Sequence, residues 1–166
     1  QASARGQIIQ RQIVALRACF GRQAISHIRD ITQKYRAAAE ILNNSNMRIS
    51  RFPGNAPAGV EEDAIAHAPV REITLGVEYS IRIYDAFFYN RSDVWRTRLI
   101  GISGNPFDLE LKYAATLLHE ALHWHVGPGH QRLGDLCNPQ NYEFYMLLRN
   151  SPEPPSYSEL NRNRRQ

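Results

Sequence analysis

Apolar residues recur every three or four positions through the first quarter of the chain. Ile9, Ile13, Leu16 and Phe20 share one helical face, and Gly21 follows as a stop. Ala24, Ile28, Ile31, Tyr35, Ala38 and Leu42 step by four and three, and "NNSN" ends the run. Two amphipathic helices are predicted, each with one face for a core. "RFPGNAPAG" reads as loop from its Pro and Gly content. The rhythm then changes. "REITLG" and "EYSIRIY" roughly alternate β-branched or aromatic residues with polar ones, as short strands do, and "VWRTRLIGIS" reads as a third. The strongest helical signal is "GNPFDLELKYAATLLHEALHWH", with Asn105 as its cap, Pro106 in its first turn, Asp108 at the positive end of the dipole, and Gly127-Pro128 past its end. A last helix is predicted over "PQNYEFYMLLRN". The stretch from Ser151 is poor in apolar residues and is expected to be extended or disordered. Residues 1–150 are thus expected to form one domain and residues 151–166 a basic tail.

Composition changes this picture little. The 166 residues suit one domain, and 43% hydrophobic with 22% charged residues is ordinary for a globular chain. No apolar run approaches the roughly 18 residues of a membrane span, so none is expected. The net charge of +4 is scattered except for "NRNRRQ", which gives no stripe for nucleic acid. Cys19 and Cys137 could form one disulfide or remain two thiols, and a pair is too few to fix the compartment. The chain opens on Gln1, as a fragment or processed product would, and a secreted or exported monomer is expected.

Candidate chemistry is concentrated in one place. Four of the six histidines lie in "LLHEALHWHVGPGH", from Leu117 to His130. His119-Glu120-Ala121-Leu122-His123 is an HExxH motif. Residues four apart share a helical face, so His119 and His123 can reach one ion. Zinc takes neutral imidazole nitrogen at about 2.0–2.1 Å, polarises a carbonyl and acidifies an attacking water. Glu120, beside the first ligand and opening onto a cleft, is the expected general base. A catalytic zinc needs a third protein ligand. His125, His130, Asp135 and Glu143 are the downstream choices. His125 points to another face of the helix. His130 follows "VGPG" one residue later than the HExxHxxGxxH spacing requires. Glu143 lies twenty residues past His123.

The order "YAATLLHEALHW", a short Gly/Pro loop, "GD", then "NPQNYEFYMLL" resembles the aspzincin metallopeptidases, the deuterolysin and peptidyl-Lys metalloendopeptidase group. "SIRIYDAFFYNRSD" is similar to the strand and paired Phe that precede the active-site helix there. The resemblance implies a mainly helical α+β zincin-like domain with a small sheet. It also implies Asp135 as the third zinc ligand, with His130 and then Glu143 behind it. Where the family has an oxyanion-stabilising tyrosine and a glycine, this chain has Cys137 and Asn138, so Tyr142 and Tyr145 are the substitutes to consider. The implied activity is zinc-dependent endopeptidase cleavage of protein or peptide, in the catalytic domain of a secreted protein or an effector toxin. A zinc amidase acting on cell-wall peptides and a non-catalytic zinc-binding module are the alternatives.

Overall fold

The computed structural model describes residues 3–54, 65–69, 79–88, 109–127, 130, 135–149 and 156–159. Helix α1 spans Ala4–Phe20, with the Ser3 hydroxyl accepting from the Gly6 N–H at its start. Gly21, at φ +86°, ends it in backbone that L side chains rarely adopt. The apolar rhythm resumes at Ala24, but residues 22–27 form turns closed by bonds such as Ala24 N–H to Gly21 C=O, and α2 spans Ile28–Leu42. Its interior is free of Gly and Pro, and it buries Ile31, Ala38 and Ile41.

Three short strands follow: β1 (Arg48–Arg51), β2 (Ala66–His67) and β3 (Ser80–Ile83). Their order is β1-β3-β2, with β1 parallel and β2 antiparallel to β3. Of the expected strands, "EYSIRIY" corresponds to β3, while "REITLG" and "VWRTRLIGIS" lie outside the described residues. β1 and β2 went unread because neither alternates. All four side chains of β1 are exposed, and β2 is only two residues long. A single helical turn, α3 (Asp85–Phe88), follows β3 and places Phe87 flat against Tyr113, with ring centroids 4.5 Å apart.

Helix α4 (Leu109–Val126) carries HExxH. The expected capping residues Asn105, Pro106 and Asp108 lie outside the described residues. α4 packs against both α2 and the last helix, α5 (Pro139–Leu148), while α1 packs against α5. One core joins these four helices through Leu16, Phe20, Ile31, Leu118, Leu122 and Tyr142. Burying each of the larger side chains is worth about 1.5–3 kcal/mol. The fold is therefore mixed α and β, helices predominating over a small sheet. A 3-10 turn, Asp135–Cys137, leads into α5, whose cap is Asn138 with its side chain accepting from the Gln140 N–H at 3.0 Å. In the segment expected to be extended, residues 157–159 form a helical turn anchored by Ser156 and Glu159. The Tyr157 ring lies close over Gly21. Cys19 is buried and Cys137 half-buried, and no disulfide joins them. No described helix is long and apolar enough to cross a membrane.

Candidate metal centre

The second half of α4 is buried on nearly every side, so its polar residues must meet partners rather than water. His119 and His123 are 6% and 7% exposed and face the same way one helical turn apart. Their Nε2 atoms are 3.1 Å apart. Gly127 then ends the helix at φ +97°, the left-handed turn that glycine adopts without strain. Its N–H donates to the His123 carbonyl. Beyond this turn His130 returns to the helix, its Nε2 2.9 Å from Nε2 of His119. The three imidazole rings form a nearly equilateral triangle, with centroids 5.0, 4.9 and 4.9 Å apart. His119, His123 and His130 thus lie close enough together to bind a metal ion.

The Nδ1 atoms of His119 and His123 are occupied. His123 Nδ1 lies 3.0 Å from the Gly127 carbonyl. A carbonyl only accepts, so this nitrogen carries the proton and Nε2 is a bare lone pair in the neutral ring. The ring is neutral because burial, followed by the neighbouring His119 and, more weakly, His130 and His67, holds its pKa down at about 3. His119 Nδ1 lies 2.8 Å from a Glu143 oxygen. If it donates to that carboxylate, its Nε2 is bare as well. Two lone pairs would then face each other at 3.1 Å, with a third imidazole nitrogen at 2.9 Å. Those lone pairs repel unless a proton or a cation lies between them. Tetrahedral zinc bonded at about 2.0–2.1 Å holds its ligand nitrogens about 3.3 Å apart, close to these separations. The donor set therefore fits the ion.

Glu120 is buried, 7% exposed. One of its oxygens, Oε2, accepts the Ala68 N–H at 2.7 Å, across 52 residues of sequence. Ala68 directly follows β2 and precedes Pro69, which biases it toward extended backbone. Sequence reasoning missed this contribution from β2, along with the nearness of His67. A two-residue strand has no readable period, and only the antiparallel pairing to β3 brings it to α4.

The other candidates divide. His125 is exposed, as its position on the helix implied. Glu143 contacts His119 at Nδ1, the edge of the ring away from His123 and His130. The Asp135 side chain lies outside the described residues. Asn138 caps α5. Tyr142 belongs to the core, and Tyr145 packs partly buried against it. Tyr142 is fully buried, donates its hydroxyl to the Leu136 carbonyl and packs edge-on to Phe20 and Tyr35. Burial pushes its phenol pKa well above the ordinary value. Tyr145 packs against the same two rings. No protein-family model, no curated protein and no solved structure matches the chain.

Proposed function

We propose that the chain is a zinc-dependent peptide hydrolase, with His119, His123 and His130 as metal ligands and Glu120 as general base. The reading rests on one observation above the rest: three imidazole nitrogens converge while the outer nitrogens of two of them are already engaged. In this reading His130 holds the position that the aspzincin resemblance implies for Asp135.

Bound zinc would act as a Lewis acid, polarising the scissile carbonyl and lowering the pKa of water to about 7. Glu120 follows His119 directly, so its carboxylate is held beside the ligands. Ala68 holds Oε2 at 2.7 Å, and a carboxylate oxygen of Glu120 would take the proton of the attacking water. The same oxygen then returns the proton to the leaving nitrogen. The short His119–His123 spacing and the Gly127 turn keep the three rings convergent throughout. Substrates would be proteins or peptides.

The test is zinc-loaded protein incubated with a mixed peptide library, with products read by mass spectrometry. Glu120→Gln should retain zinc and lose at least about 100-fold of the hydrolysis, since an amide cannot accept the proton. Its melting temperature should change little, because the amide oxygen can still accept from Ala68. Stoichiometric zinc with no cleavage by the wild type, or cleavage by Glu120→Gln within tenfold of it, would remove the hydrolase reading.

A further inference from the structure

Resting on the metal site proposed above, we infer that Glu143 is a positioning residue of that site: it reaches from α5 to fix the tautomer and plane of His119 and supplies negative charge behind the ligands, without binding the ion itself. Glu143 Oε2 is 2.8 Å from His119 Nδ1, and the two side chains are 4% and 8% exposed. In an imidazole the two nitrogens lie on different edges of the ring. A carboxylate seated at Nδ1 is therefore turned away from an ion held at Nε2.

The position makes a packing role a poor account. Glu143 sits between Tyr142 and Phe144, both fully buried, in a helix that also buries Leu147 and Leu148. Removing a carboxylate from water costs several kcal/mol unless partners offset it, and a well-packed apolar residue often does as well or better. The carboxyl of Glu143 on this face meets the imidazole of His119 directly, at 2.8 Å. By accepting the Nδ1 proton it leaves Nε2 bare, stops the ring from turning over, and makes Nε2 a stronger donor to a cation. Removing such outer partners typically costs 10–100-fold in metal affinity. Glu143 has a symmetric counterpart in the Gly127 carbonyl at His123 Nδ1. Both HExxH rings are therefore locked from behind, one by a backbone dipole and one by a full charge.

The decisive measurements are zinc affinity by chelator competition for the wild type, Glu143→Gln and Glu143→Ala, and the His119 tautomer by long-range nitrogen–proton NMR on the zinc-loaded wild type. The wild type should show the proton on His119 Nδ1. Glu143→Gln, whose amide oxygen still accepts that proton, should bind more weakly than wild type but more tightly than Glu143→Ala. Glu143→Ala should lose 10–100-fold. X-ray absorption should show the same number of protein ligands in all three. Affinity of Glu143→Ala within threefold of wild type, a His119 Nδ1 without a proton, or one ligand fewer in Glu143→Ala would each overturn the inference while leaving the metal site standing. Should either variant fail to fold, the tautomer in the wild type still decides. A wild type that takes up no zinc would remove the site itself and this inference with it.

Discussion

Replacing His130 by alanine is the perturbation that most directly tests the ligand set. His130 sits after the Gly127 turn, half-buried, in close contact with the rings of His119 and His123. It lies outside the helical core, so the metal-free fold should lose less than about 1 kcal/mol, as surface changes usually do. Zinc binding should suffer far more. A four-ligand structural zinc site is worth about 10–16 kcal/mol, or about 2.5–4 kcal/mol for each ligand. At 1.4 kcal/mol per decade, losing one imidazole should weaken zinc by about 60- to 700-fold. Asp135→Ala is the paired control. Asn138 already caps α5, so this change should cost neither zinc nor the roughly 1 kcal/mol of a lost cap. Chelator competition gives the two affinities, and thermal unfolding of the metal-free proteins gives the two stabilities. Zinc affinity unchanged in His130→Ala but reduced a hundredfold in Asp135→Ala would refute the three-histidine set and restore the aspartate ligand.

Two further outcomes follow from the geometry. Gly127→Ala meets no neighbouring atom within 4 Å, so its cost is backbone strain alone: about 1–2 kcal/mol of stability at φ +97°, with zinc affinity falling because His130 leaves the turn displaced, all measurable by urea melts and chelator titration. Tyr35→Phe removes the 2.7 Å bond from the Tyr35 hydroxyl to the Tyr142 carbonyl and should cost about 1–3 kcal/mol with zinc affinity retained, because a part-buried acceptor is left unsatisfied away from the ligands. An unchanged midpoint for Tyr35→Phe would mean water replaces the phenol there.

Much of the helical frame was legible because amphipathic helices repeat over many residues. Ile31, Ala38, Leu118 and Leu122 declare a buried face by spacing alone. The pairing of His119 with His123 was legible for the same reason: both lie within one helix, whose geometry is set by hydrogen bonds four residues long. Gly21 and Gly127 were readable as stops, although the sequence could not say that residues 22–27 would form turns where the apolar rhythm resumes.

Everything that completes the site depends on contacts between elements. No local pattern says that the chain after Gly127 folds back to bring His130 within 2.9 Å of His119, since one added residue in a loop changes its end point entirely. The carboxylate of Glu143 was visible as a titratable group in an apolar stretch, yet its assignment to Nδ1 rather than to the ion follows from how α5 lies on α4. The anchoring of Glu120 by Ala68 spans 52 residues and needs β2, β3 and α4 in register. A helix holds its own residues at fixed spacing through backbone bonds. Side chains from different elements find their distances only when the core beneath them packs, and in this chain Leu118, Leu122 and Tyr142 set where the three imidazoles meet.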